Sequence, residues 1–163
     1  MPALWRSAAR FARRFGVPTL AHCYVTSPQS AAARLRRAAA TPDTDPTLLR
    51  ELRPFVQAVF MHEGVGLSPA LCQHLWELNV RTVFLAGADT EAHILSAAFQ
   101  LVDAGIEPTI VSPLCTAHAG RAAHDAALNL VRRHLGDAHV YPLIPWGSPQ
   151  FAVTASQPQP VAS

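Results

Sequence analysis

The stretch from Arg81 to Ser112, RTVFLAGADTEAHILSAAFQLVDAGIEPTIVS, constrains the fold more than any other part of the sequence. RTVFLAG is a continuous apolar run of the kind found in strands buried on both faces. A polar turn follows, and then Ile94, Leu95, Ala98, Leu101 and Val102 recur at helical spacing. IEPTIVS supplies the next apolar strand. Two such strands joined through a helix are expected to pair in parallel, because a hairpin cannot make that connection.

The same alternation extends along the chain. LWRSAARFARRF, residues 4–15, puts Leu4, Ala8, Phe11, Ala12 and Phe15 on one helical face and Arg6, Arg10, Arg13 and Arg14 on the other. GVPTLAHCYV reads as a buried strand entered through a Gly-Val-Pro turn. Residues 26–48 carry Ser, Thr, Pro, Ala and Arg with the breaker TPDTDP, which predicts a long loop or partly helical excursion. LLRELRPFV predicts a short helix or turn and QAVFM a strand. In SPALCQHLWEL, Ser68 is placed to cap a helix, Pro69 to open it, and Leu71, Leu75 and Leu78 to share one face. HDAALNLVRRHLG gives a helix with Leu128, Val131 and Leu135 inward and Gly136 as its stop, and HVYPLI closes the core. The fold class implied is α/β: a three-layer α/β/α domain with a doubly wound parallel sheet.

Composition narrows the chemistry. At 163 residues the chain fits one domain. No run approaches the roughly 18 apolar residues of a spanning helix, so no membrane span is expected. A formal net charge of +2 is too small to imply a nucleic-acid partner by itself. All 13 basic residues are arginine, so any mechanism requiring a lysine side-chain amine is excluded. Cys23, Cys72 and Cys115, an odd set without CxxC spacing, fit buried thiols better than a disulfide framework or zinc site. Before Asp43 there are seven arginines and no acidic residue. An Arg-rich, acid-poor amphipathic start fits a mitochondrial address, and it also fits the first surface helix of an α/β domain. The strand that follows at once favours the surface helix, and an uncleaved helix can serve both ends.

From about Leu52 to Leu143 the chain resembles the isochorismatase-like cysteine hydrolase superfamily, most closely the isochorismatase-domain-containing branch without a zinc site. The resemblance is carried by Gly87-Ala88-Asp89-Thr90-Glu91-Ala92-His93-Ile94-Leu95, by SAAFQLVDAG with IEPTIVS, by AAHDAALNLVRRHLGDAHVY, and by RRFGVPTLAHCYV upstream. It implies an isochorismatase-like domain over residues 1–147, interrupted by the excursion at 26–50; residues 148–163, ending in VTASQPQPVAS without charge or periodicity, read as a flexible or partner-draped tail. It also implies a thiolate at a helix start, an aspartate that shuttles the proton, and a nearby lysine. The thiolate position matches His93, and the lysine position falls at His62. The family's first strand, with its aspartate, has no counterpart here, and Pro113-Leu114 replaces a further aspartate. The resemblance therefore points to a degenerate domain that is not an enzyme, with no cofactor and no small-molecule substrate. Its expected role is that of a structural or scaffold subunit, with other protein subunits as partners, in a mitochondrial complex. A sheet lacking its central strand would leave unsatisfied backbone groups costing roughly 1–3 kcal/mol each, so a longer start to the chain, a rearranged sheet, or another chain supplying the strand is expected.

Other assignments stay open beside this one. Cys115 is an alternative nucleophile, and a divergent hydrolase of small amides or vinyl ethers would use His62, His93 and Cys115. His62 and His93 with Asp89 or Glu91 form a sparse metal-ligand set, weaker than two imidazoles satisfied within a filled cleft. Cys72 and Cys23 read as core. His22, His74, His118, His134 and His139 carry no mechanistic pairing, and His124 reads as a packing or capping residue that opens the last helix. Arg34, Arg36 and Arg37 could contact RNA phosphates, but AAARLRRAAA lacks interleaved aromatics.

Overall fold

The computed structural model describes residues 2–25 and 50–142. The expected excursion with Arg34, Arg36 and Arg37, and the expected tail at 148–163, lie outside the described residues. Along the chain run α1 (Pro2–Arg14), β1 (Leu20–Tyr24), β2 (Ala58–His62), α2 (Pro69–Glu77), β3 (Thr82–Ala88), α3 (Leu95–Asp103), β4 (Glu107–Thr116), α4 (Arg121–Leu135) and β5 (Val140–Tyr141). A 3-10 turn at Arg53–Phe55 precedes β2, and a π-helical turn at Thr90–Ile94 leads into α3.

All strand pairs are parallel, as the β-α-β pattern requires. The expected single sheet is instead two: β1 with β2, and β3-β4-β5. Among the described residues no strand hydrogen-bonds β1 to β3. What joins the two sheets is apolar burial. Leu71 and Leu75 of α2 and Leu101 of α3 meet Ile106, and Leu20, Phe60, Val83 and Leu85 pack against them. A second cluster unites Ala98 of α3, Ile110 and Cys115 of β4, Leu128 and Val131 of α4, and Val140 of β5. Helix α3 contributes to both clusters and so ties the sheets together.

Local signals explain the element ends. The Ser68 side chain accepts from the N–H of Leu71 at 3.2 Å, and Pro69 stands at the first turn, where its missing donor costs nothing. Gly136 ends α4. Strand β4 outruns the predicted IEPTIVS because Ser112-Pro113-Leu114 bulges before pairing resumes. Leu85 faces Ile110, yet Gly87 faces Cys115. Proline has no N–H to give a ladder, so a bulge is where a strand tolerates it.

Four expectations from periodicity are corrected. RTVFLAG is not buried on both faces: exposure alternates along β3, and Phe84 is 48% exposed. Leu78 and Val102 are exposed, lying past the ends of the stripes that α2 and α3 bury. On α1, Leu4 and Phe15 are exposed while Ala9 is buried and the Trp5 indole N–H donates to the Leu114 carbonyl at 2.6 Å. Helix α4 begins at Arg121, so His124 lies in its first turn rather than opening it.

The arginine face of α1 is engaged within the chain. Arg6 pairs with Glu51 at 3.7 Å, Arg13 donates to the Pro54 carbonyl at 3.2 Å, and the Arg10 guanidinium lies 5.8 Å from the Phe55 ring centre. Arginine stems pack on apolar surface while their heads stay wet, so a charged stripe can be the docking face.

The core predicts its own mutational profile. Ile110→Ala and Leu101→Ala, at residues 1% exposed, each lower unfolding free energy by about 2–5 kcal/mol. Leu78→Ala and Val102→Ala cost less than about 1 kcal/mol. Urea unfolding of the four variants checks this, and equal losses would contradict the packing described.

Candidate functional site

The carboxyl ends of β1, β2 and β3 bring together five side chains from distant parts of the sequence. On β1, His22 and Tyr24 are two residues apart and share a face, since side chains alternate along a strand. His62 is the last residue of β2. Beyond β3, Asp89 sits in the left-handed region at φ 64° and ψ 61°, and this turns the chain into the π-helical turn that holds His93. The N–H of Ile94 bonds the Asp89 carbonyl at 3.2 Å, the five-residue step of a π turn.

His93 is held on three sides. Its Nδ1 lies 2.8 Å from the Val65 carbonyl. A carbonyl only accepts, so Nδ1 carries the proton. Nε2 lies 3.3 Å from Oδ2 of Asp89. The ring packs on Tyr24 with centres 4.9 Å apart. Burial lifts the Asp89 carboxyl above its ordinary range, and Glu91 adds to this, outweighing the downward pull of His93 and His118. Burial also works to raise Glu91. There the N–H groups of Ala119 and of Glu91 itself, with the bond from Asp89, win and hold it below the usual range.

The segment 63–67, Glu-Gly-Val-Gly-Leu, lies against this cluster. A Cβ on Gly64 would run into the His62 ring, and one on Gly66 into the Gln100 side chain. The Leu67 N–H donates to Oε1 of Gln100 at 2.6 Å, and the Ser68 N–H donates to Nε2 of His22 at 3.2 Å. His22 therefore receives a hydrogen bond only while Nε2 is bare. Burial lowers its pKa, and His62 and His93 push the same way. The His22 and His62 rings stand 5.8 Å apart.

The structure thus brings His62 and His93 to one cluster and places Cys115 elsewhere. Cys115 is buried in β4, with Sγ 3.5 Å from the Val111 carbonyl, and burial pushes its thiol up to about 11. A thiolate is the nucleophile, so this environment suppresses the reactive form. Cys23 is also raised by burial. All three cysteines are free. His124 bridges Thr90 at 2.9 Å and Ser112 at 3.4 Å, joining α4 to the turn and to β4. Among the described residues no three His, Cys, Asp or Glu side chains are placed to hold a metal ion. Two open depressions lie away from His93, one along Arg13, Pro54 and Gln57, the other along Ser112, Thr116 and Arg121. Sequence reasoning missed His22, Tyr24 and Gln100. The His-x-Tyr spacing on β1 was the available signal, but its partner segment is remote in sequence.

The family is settled by the sequence pattern of the Isochorismatase domain, which matches residues 5–140. The chain belongs to the Isochorismatase domain family. No curated protein matches it in sequence. Solved structures of the same fold include N-carbamoylsarcosine amidase from Thermoplasma acidophilum, at 19% identity, TM-score 0.69, and coverage of 88% of this chain and 84% of that one. The pyrazinamidase/nicotinamidase of Streptococcus mutans has 17% identity, TM-score 0.67, and coverage of 83% and 81%. The MAR1 ribonuclease of Caenorhabditis elegans has 17% identity and TM-score 0.60, with 86% of this chain spanning 66% of that one.

Two outcomes follow from the site. Because Asp89 is raised, the folded state resists its ionisation; its contribution is full below pH ~3.9 and falls as pH rises through the raised value. Asp89→Asn, which also tolerates the left-handed turn, matches or exceeds the wild-type Tm at pH 7, whereas Asp89→Val loses about 1–2 kcal/mol. Equal losses in both variants would mean that the charged pair with His93 dominates. Secondly, Cys115 resists iodoacetamide at pH 8 in the native protein and reacts on unfolding, as read by peptide mass spectrometry; native labelling would contradict its burial.

Proposed function

We propose that the chain is a non-catalytic isochorismatase-like domain that acts as a structural subunit of a larger protein assembly, with a mitochondrial setting as the expected one. The observation that carries this reading is His93. At the position where the family resemblance places a thiolate stands an imidazole whose two nitrogens are engaged by Val65 and Asp89 and whose ring rests on Tyr24. An attacking group must be free to reach its electrophile, and this one is spent on the chain's own groups. The absence of any lysine, and the raised thiol of Cys115, support the same conclusion. The subunit role is supported by β1 and β3, each of which has an edge without a hydrogen-bonded strand among the described residues. Such edges invite strand addition by another chain.

A second reading has one observation in its favour. Asp89 and His93 form a carboxyl–imidazole pair at a helix start, which is general-base apparatus for a hydrolase of small amides or vinyl ethers acting through water, with His62 nearby. One assay separates the two. The purified chain, offered nicotinamide, pyrazinamide and N-carbamoylsarcosine, releases no ammonia above the buffer blank. Turnover that is abolished in His93→Ala would overturn the non-catalytic reading. In extracts of the native source the chain migrates far above its 17.5 kDa mass; migration as a free monomer would overturn the subunit role.

A further inference from the structure

We propose that residues 63–68, ending at the helix cap Ser68, are a strap latched by neutral His22 and released when His22 is protonated, uncovering His62, His93 and Asp89. The inference does not depend on whether the domain turns over a substrate.

The strap is fastened at three points. His93 Nδ1 donates to Val65, the Leu67 N–H donates to Gln100, and the Ser68 N–H donates to His22. Its glycines let it lie flat on the His62 ring and on Gln100. Of the three fasteners, the one at His22 requires a bare ring nitrogen. Protonating Nε2 turns an acceptor into a donor facing another donor, so the bond becomes a repulsion. The new positive charge would also stand at the amino terminus of α2, which Ser68 caps, where the helix dipole disfavours cations.

The groups facing His22 set the direction of the switch. His62 from β2 and His93 from the π turn both oppose its charge, and burial opposes it more strongly than either. Within the cluster, the carboxyl of Asp89 is engaged by His93 and has Glu91 and His118 as its other charged neighbours. The closed strap therefore binds a proton on His22 less tightly than the open strap does. Its stabilisation is full above the ordinary histidine value of ~6.5, and it falls as pH drops from there to the depressed value. Acid opens the strap and neutrality closes it.

The test is amide hydrogen exchange by NMR between pH 7.5 and 5, corrected for intrinsic rates, on the full chain. Protection of the Leu67 and Ser68 amides falls by up to about tenfold per pH unit below ~6.5, while that of Ile110 in β4 stays constant. In His22→Gln, whose side-chain carbonyl can accept from Ser68 without titrating, strap protection is flat with pH. The wild-type ring is followed in parallel by its nitrogen shifts, which show a bare Nε2 at pH 7.5 and a midpoint below 6.5. Constant strap protection while His22 titrates would overturn the proposal, as would a fall that persists in His22→Gln.

Discussion

Burial of β4 is the constraint on which the rest of the molecule depends. Ile110, Val111 and Leu114 are 1–2% exposed, so this strand is shielded on both faces. A strand so placed must have neighbours for its backbone, which β3 and β5 supply, and helices for its side chains, which α3 and α4 supply. The parallel ladder then fixes where β3 ends. The chain has to turn over the carboxyl edge of the sheet, and it does so through Asp89 and a π turn whose Thr90 is fully buried. Open α/β sheets gather their chemistry at that edge, and His93 arrives there because β4 is where it is.

Once His93 is at that edge, its chemistry is decided by what surrounds it. The second sheet brings His22, Tyr24 and His62, and the strap brings the Val65 carbonyl. Every one of these contacts is internal to the chain. Together they form a small polar cluster closed on itself. The same cluster now ties β1, β2 and the strap to the turn after β3, across a boundary where the described strands share no ladder. The imidazole suits this task, since it offers two directional nitrogens and a flat face.

Much of this fold was legible in the sequence because it is local. The cap at Ser68 and Pro69, the stop at Gly136 and the helical stripe around Ala98 and Leu101 depend on spacing within a few residues. The strand at IEPTIVS was legible too, although its continuation to Thr116 was not, because Pro113 argues against a strand unless a bulge accommodates it. The features that escaped depend on contacts between remote segments. Nothing in RTVFLAG foretells which face is the more exposed one at Phe84, and nothing in the amphipathic pattern of α1 foretells that its arginines dock on residues 51–55. The position of His93 was legible through the family resemblance. Its partners were not, because Val65 contributes a backbone carbonyl, which every residue possesses, and His22 lies some seventy residues away.

On the reading proposed above, His93 is a locked structural residue where the family resemblance places a thiolate. The exchange rate of its Nδ1 proton with water, followed by nitrogen-edited NMR of the imidazole rings, tests this most directly. The account predicts a single tautomer with the proton on Nδ1, exchanging far more slowly than the ring protons of partly exposed His74. A His93 ring that samples both tautomers and exchanges as fast as His74 would contradict it.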